Sequence, residues 1–393
     1  MRILSIHNQY QIRGGEDESR ELEERLLRDH GHIVDVYEEN NRDIQNYRSL
    51  HLTLKTIWSQ QSYDFVRQQL RTHRYDLIHV QNFFPLISPS VHYAAQAEGV
   101  PVVQTLRNYR LVCPNALFFR DGQVCEDCVG KPIPYPGVIH GCYKKNRLAS
   151  AAVAAMISSH RAMKTWLNQV NVFIALTQFA KQKLVEGGLP AEKIVVKPNF
   201  IYPDPGVGSG QGNFALYVGR LSVEKGLDTL LEAWQTLPQP FPLKIVGDGP
   251  LADMVQQTAR AIPTIEWLGR KPMAEVHRLM GEASVLIFPS KWYETFGRVA
   301  IEAFAKGTPV IASRIGAIAE LIDDGKTGLY FEPANAQQLA QKVSWFLNNP
   351  ANHLAMRQAA RQRFLDHYTE EANYQQLISI YDKVQNRPQL LAL

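Results

Sequence analysis

Val285-Leu286-Ile287-Phe288-Pro289-Ser290-Lys291-Trp292-Tyr293-Glu294-Thr295-Phe296-Gly297-Arg298-Val299-Ala300-Ile301-Glu302 carries the pattern that decides the fold. Four apolar residues make a short strand, and Pro289-Ser290 end it. A loop from Lys291 to Gly297 then enters a helix containing Glu302. Strand, loop and helix in that order are half of a βαβ unit. In open α/β sheets ligands bind beyond the carboxyl ends of the strands. The helix start, near Phe296 to Val299, offers free N–H groups and a positive dipole end to phosphate. Gly297 lets the backbone come close, and Glu302, one to two turns in, is placed for ribose hydroxyls. Taken alone, the segment reads equally as two surface glutamates flanking a helix.

Three more strand ends share these features. Val218-Gly219-Arg220-Leu221-Ser222-Val223-Glu224-Lys225-Gly226 follows a strand and precedes a helix, and its two cations suit a diphosphate leaving group. Gly247-Asp248-Gly249-Pro250 and Gly269-Arg270 follow strands of their own. On one parallel sheet all four fall on the same edge.

Working outward, β-branched runs alternate with helical patterns along most of the chain. Arg2 to Ile6, Ile33 to Tyr37, Leu77 to Val80, Val100 to Thr105, Val172 to Leu176 and Ile194 to Val196 read as one set of strands, with a helix from about Glu16 to His30 after the first. Ala215 to Val218, Leu243 to Val246, Ile265 to Trp267, Val285 to Phe288 and Pro309 to Ile311 read as a second set. Residues 200–213 between them hold two prolines and four glycines without apolar periodicity, as a linker would. The expected fold class is α/β, two tandem doubly wound Rossmann-like domains: 1–200, with a Cys-rich insert at 107–147, a linker at 201–213, and 214–368. A terminal helix, 369–393, is expected to pack back on the first domain. One long helical stretch, Asn335 to Val384, is expected to break near Tyr368, with Asn335 as its N-cap.

Bulk composition narrows the function classes. The 393 residues are 45% hydrophobic and 20% charged, with a net charge of +4. So small a surplus argues against nucleic acid as a partner. The dense basic spot is Lys144, Lys145 and Arg147, which reads first as a solvated loop and second as a contact for anionic membrane. The polar His7-Asn8-Gln9 leaves no apolar leader region, and no run of about 18 apolar residues occurs. A cytoplasmic protein is expected, with peripheral membrane contact left open.

The segments Gly219-Arg220 to Lys225-Gly226, Val246 to Pro250, and Glu294 with Glu302 resemble family-four retaining glycosyltransferases of the GT-B fold. Pro289-Ser290, Gly307 to Ala312, Gly316 with Glu320, and Gly325 to Gly328 fit the same pattern. The resemblance implies two domains with a cleft between them, and sugar transfer from a UDP- or GDP-type donor to a glycan or lipid-linked acceptor, as in polysaccharide biosynthesis. It also implies a role for each matching residue. Arg220 and Lys225 would hold the diphosphate, and Glu294 the donor sugar. Thr295, Phe296 and Gly297 would offer backbone N–H groups, with Gly219 and Gly247 in the neighbouring loops. Glu302 would hold the ribose, and Arg270 would lie near the base. Gly14-Gly15, after the first strand, would form a second nucleotide-proximal loop, although an ordinary turn reads as well. Such enzymes retain configuration without a protein nucleophile. No Asp-x-Asp occurs in the chain, so no catalytic divalent cation is expected.

The first domain departs from the pattern. Arg107 stands where the family often has a histidine, keeping charge and donors but unable to act as a base. His79 and Asn82 are acceptor-side candidates, His79 reading equally as a satisfied strand-end histidine. All four cysteines, Cys113, Cys125, Cys128 and Cys142, fall in the insert, two of them at metal-knuckle spacing. A structural Zn²⁺ is the leading reading; free thiols, disulfides and an iron–sulfur cluster are the others. Three further readings compete with the enzyme. They are an epimerase or phosphorylase on the same fold, a catalytically degenerate nucleotide-sugar-binding scaffold, and a zinc nucleic-acid protein.

Overall fold

The apolar runs become strands, and the computed structural model describes residues 1–11 and 13–386. The first set is β1 (Arg2–Gln9), β2 (Ile33–Asn40), β3 (Leu77–Asn82), β4 (Val102–Leu106), a small hairpin of β5 (Phe119–Arg120) and β6 (Gln123–Val124), β7 (Val172–Ala175) and β8 (Ile194–Val196). The second is β9 (Ala215–Val218), β10 (Leu243–Val246), β11 (Ile265–Gly269), β12 (Val285–Phe288), β13 (Val310–Ser313) and β14 (Gly328–Phe331). Two all-parallel sheets result, in the orders β2-β1-β3-β4-β7-β8 and β11-β10-β9-β12-β13-β14. This is the expected α/β class. Helices cover both faces of such sheets, which is why β3, β4, β12 and β13 are buried at every residue.

The chain divides into two units. Unit 1 holds Met1–Phe118, Glu126–Pro198 and the chain from Asn373 onward; unit 2 holds Phe119–Cys125 and Asn199–Ala372. The hairpin β5–β6 therefore belongs to unit 2, whereas the sequence placed the whole insert in the first domain. A two-stranded hairpin has no core of its own and goes with whatever surface it packs on.

In unit 1 the terminal helix Glu370–Gln385 lays Leu377, Ile380, Tyr381 and Val384 on Ile3, Leu77, Val103 and Ile174 of the sheet. Each such side chain contributes about 1.5–3 kcal/mol of apolar burial. Residues 387–393 of the expected terminal helix lie outside the described residues.

Three details differ from expectation. The long helical stretch breaks twice, into Ala336–Asn348, Pro350–His367 and Glu370–Gln385. Pro350 causes the unforeseen break, since proline starts a helix well but disfavours helix in the residue before it. Asn335 does cap the first piece, accepting from Gln338 N at 2.9 Å. Strand β14 was missed, because its four residues directly follow the turn signal Gly325-Lys326-Thr327. Finally, the linker is not free chain. Gly208, Gly210 and Gly212 donate to the carbonyls of Lys306, Gly281 and Glu282 at 2.8–3.0 Å, all within unit 2. A Cβ on Gly208 would meet Gly281 Cα at 2.1 Å, so the glycines there serve close backbone packing.

Candidate functional site

In unit 2 the strand order reverses between β9 and β12. Loops after these strands leave toward opposite faces and open a crevice at that point. The two loops touch through backbone. Gly226 has φ +70°, and a Cβ there would lie 1.8 Å from the Pro289 carbonyl oxygen. Lys291 N donates to Glu224 O at 2.9 Å.

That contact brings together residues 69 positions apart: Lys225 Nζ lies 2.5 Å from Glu294 Oε1. The same oxygen accepts from Ser290 Oγ at 2.9 Å and from Trp292 Nε1 at 2.9 Å. Lys225 also lies over the Trp292 ring, 5.1 Å from its centroid. Ser313 Oγ donates to Ser290 O at 2.5 Å and anchors the loop from below. A carboxylate oxygen with three donors is held in one orientation, so the buried Glu294 is a fixed acceptor. Lys225 keeps 23% of its side chain in solvent. A doubly charged phosphate arriving there can draw the ammonium from the carboxylate.

The other expected residues of unit 2 stand on the loops and the helix that follow the same sheet's strands. Arg220 follows β9, is exposed, and forms no ion pair among the described residues. Gly247 packs against Gly219, the residue preceding Arg220: a Cβ on Gly247, at φ +143°, would stand 1.9 Å from the Gly219 carbonyl oxygen. Arg270 is exposed at the end of the edge strand β11, two strands out from β9 and so about 10 Å away. Gly297 caps helix Arg298–Ala305 with φ +108° and no side-chain cap. Its Cβ would crowd Leu321 Cδ1 at 2.9 Å and Phe288 Cε1 at 3.1 Å. Thr295 is half-buried, and Phe296 is buried with its ring edge toward Tyr368 at 6.1 Å. Glu302 is buried on the helix and ion-paired with Arg298 Nε at 2.9 Å. The sequence did not single out Ser290 and Trp292 as partners of Glu294, although both stand within four residues of it.

Unit 1 has its own reversal, between β1 and β3. Gly14 and Gly15 start helix Gly15–Asp29 there, and no atom lies within 4 Å of a Cβ on either. Asp17 fixes the loop, accepting from Gly14 N at 3.0 Å and meeting His7 Nε2 at 2.8 Å. Glu16 accepts from Tyr10 Oη at 3.0 Å and from Asn108 Nδ2 at 3.3 Å. Burial raises the Glu16 carboxyl above its ordinary value, against those hydrogen bonds. The sequence reading passed over Glu16, although an acid directly after Gly-Gly was the available signal. Asn82 is buried at the end of β3, donating to Asn8 O at 2.7 Å and accepting from Phe84 N at 3.1 Å.

Arg107 and His79 lie inside unit 1. Arg107 donates to Gln81 Oε1 through Nε at 3.1 Å and Nη2 at 2.8 Å, with Glu23 Oε1 at 4.0 Å. Glu23 also accepts from Gln81 Nε2 at 2.6 Å and pairs with Lys197 Nζ at 3.0 Å. Burial pushes the Glu23 carboxyl up, but Lys197 and Arg107 outweigh it and hold the group down at about 2. Lys197 also donates to Asn373 Oδ1 at 2.8 Å, on the terminal helix. His79 has both ring nitrogens engaged, with Tyr381 Oη and Thr105 Oγ1, each at 2.7 Å. Burial lowers its pKa to about 4, so it is neutral near pH 7. His79 stands inside β3 rather than at its end, with both nitrogens satisfied, and at 1% exposure it offers none to a ligand. Arg107 serves the same network with 5% exposure.

Cys113 and Cys128 are buried, and Cys125 and Cys142 partly so. Among the described residues no three His, Cys, Asp or Glu side chains are grouped to hold a metal ion. Among the described residues, no helix is long and apolar enough to cross a membrane.

With the geometry in view, similarity to known proteins gives it context. Residues 206–363 match the family of glycosyl transferases group 1, and residues 45–199 match the glycosyl transferase 4-like domain. An uncharacterised glycosyltransferase of Methanocaldococcus jannaschii is 35% identical over 178 residues, covering 45% of this chain and 49% of that protein. A glycogen synthase of Mycobacterium tuberculosis is 36% identical over 154 residues, 38% of this chain and 37% of that one. The chain thus spans half or less of the length of these curated relatives. Among solved structures, the Anabaena protein Alr3699/HepE in complex with UDP superposes with a TM-score of 0.70 at 19% identity, covering 98% of this chain and 100% of that one. At that identity the likeness speaks for the fold.

Proposed function

Since the chain belongs to the group 1 glycosyltransferases of the GT-B fold, we propose that it moves a sugar from a nucleotide-sugar donor to an acceptor, with retention at the anomeric carbon. The observation that carries this reading is the Lys225–Glu294 pair at the β9/β12 reversal, with Arg220 exposed beside it. A fixed carboxylate suits sugar hydroxyls, and two cations suit a departing diphosphate. In the proposed reaction the bond from the anomeric carbon to the phosphate oxygen breaks as the acceptor oxygen bonds on the same face. The acceptor proton passes to the departing phosphate oxygen, and no divalent cation takes part. Glu302 and the N–H groups of Thr295 to Gly297 hold ribose and phosphate, and Arg270 lies toward the base.

A UDP-type donor is favoured, with GDP the second choice, because a neighbour of the same fold was solved with UDP-glucose. The acceptor is proposed to be a glycan or a lipid-linked glycan. One observation favours a second reading, a nucleotide-sugar-binding module without turnover: Arg107, at the family's histidine position, is committed to Gln81 and Glu23.

A panel of nucleotide sugars separates the two readings. Transfer or slow donor hydrolysis, with the product anomer read by NMR and the rate unchanged by chelator, supports the enzyme. Binding without either, or an inverted product, refutes the retaining transferase. The zinc proposal rests on cysteine spacing. Elemental analysis giving about one zinc per chain supports it, and none removes it.

A further inference from the structure

Charge is distributed unevenly along this chain. The whole sequence holds 42 Lys and Arg against 38 Asp and Glu, yet from Cys128 to Val185 there are eight Lys and Arg and no acid. From Ile44 to Tyr63 there are two cations and again no acid. The two stretches meet in unit 1. Helix Ser49–Ile57 packs on helix Arg147–Ala162, and His160 Nε2 hydrogen-bonds the Ile57 carbonyl at 2.9 Å.

Both helices of this pair expose leucines, and cations stand next to them in the chain. Leu148, in the first turn of the longer helix, is 83% exposed. Leu50 and Leu54, one turn apart on the shorter helix, are 73% and 58% exposed. Directly before Leu148 stand Lys144, Lys145 and Arg147, all exposed and without an ion pair among the described residues. Both lysines hold φ +53°, a left-handed conformation that favours glycine. Exposed leucines in stretches of sequence that carry cations and no acid match one chemistry. Lipid boundaries accept apolar side chains below a layer of anionic phosphates. A nucleic-acid backbone would take the cations but leave the leucines in water.

We propose that this face of unit 1 docks on an anionic lipid bilayer, with Leu50, Leu54 and Leu148 entering the headgroup boundary and Lys144, Lys145 and Arg147 on the phosphates. The proposal goes beyond the transferase reading and stands independently of it.

The test is co-sedimentation of the full chain with phosphatidylcholine vesicles, with and without phosphatidylglycerol. Binding is expected only to the anionic vesicles and should weaken as salt rises. The triple variant Lys144→Glu/Lys145→Glu/Arg147→Glu should lower partitioning at least about tenfold. Leu50→Ser/Leu148→Ser should lower it with the charge intact. These side chains are exposed, and matching circular dichroism melts confirm that the variants fold. Absence of wild-type binding overturns the proposal, as does a triple variant that partitions like the wild type. Tight binding to a DNA duplex that ignores the leucine substitutions overturns it too. Donor turnover with a water-soluble acceptor is expected to be unchanged in both variants, so failure here is distinguishable from failure of the transferase reading.

Discussion

Glu23→Gln removes the single anion from a buried cluster that holds two cations. Glu23 and Lys197 are each 3% exposed and 3.0 Å apart, with Arg107 Nη2 4.0 Å away. The Glu23 carboxyl is held at about 2, against an ordinary value of 4.5. A depression of that size corresponds to about 3 kcal/mol of stabilisation at neutral pH. That agrees with the 3–5 kcal/mol or so usual when one partner of a buried pair is removed. Glutamine keeps the shape and the hydrogen-bonding reach, so the loss is of charge. For a unit of this size the midpoint of thermal unfolding should fall by roughly 6–15 °C. Lys197→Met should cost less, because it leaves Glu23 facing one cation, Arg107. Adding Lys197→Met to Glu23→Gln should recover part of the loss, because one unpaired cation disappears. Scanning calorimetry at neutral pH gives the three midpoints. A Glu23→Gln midpoint within about 2 °C of wild type would refute the reasoning, and so would Lys197→Met proving the more damaging change. The sign with pH follows from the depressed value: this stabilisation is present above the unfolded value of 4.5 and fades as pH falls toward about 2.

Three further outcomes are expected. His79 and His92 are both lowered to about 4 by burial, so below pH 6.5 the unfolded chain takes up protons that the folded chain refuses. Stability should therefore fall between pH 6.5 and 4, by up to about 1.4 kcal/mol per pH unit for each histidine, and urea midpoints that stay flat over that range would contradict it. Gly226→Ala puts a methyl group against the Pro289 carbonyl at a left-handed φ, so it should separate the β9 and β12 loops and lower both the melting point and nucleotide affinity; a variant that melts and binds like wild type would show that the loops do not depend on this contact. Gly15→Ala meets nothing within 4 Å and should leave stability unchanged or slightly raised, while donor turnover drops if a phosphate approaches that backbone; unchanged turnover would remove Gly14-Gly15 from the site.

Much of the fold was legible because short β-branched runs ending in glycine-rich turns are local signals. The strand–loop–helix of Val285 to Glu302 is written in consecutive residues, and the structure contains it with Glu294 in the loop. Proximity between segments distant in sequence was not legible. Nothing in the residues after β3 and β4 announces that Arg107 turns inward to Gln81, since that depends on Glu23 from one helix and Lys197 after β8. His79 was ambiguous for the same reason, its partner Tyr381 lying 302 positions away. The break at Pro350 was written locally and passed over. The cysteine spacing suggests a metal site, but spacing does not fix where side chains point, so it is elemental analysis that decides the zinc proposal.

The central claim is that Lys225, with Arg220, holds the diphosphate of a nucleotide sugar at the β9/β12 reversal, where Glu294 faces the sugar. Calorimetric titration of UDP and of GDP into the protein and into Lys225→Ala tests it most directly. The account predicts one site per chain for at least one of the two nucleotides, with affinity weakened about 10–100-fold in the variant, the loss of one charge-assisted contact to phosphate. No heat of binding from either nucleotide, or equal affinity in the two proteins, would contradict it.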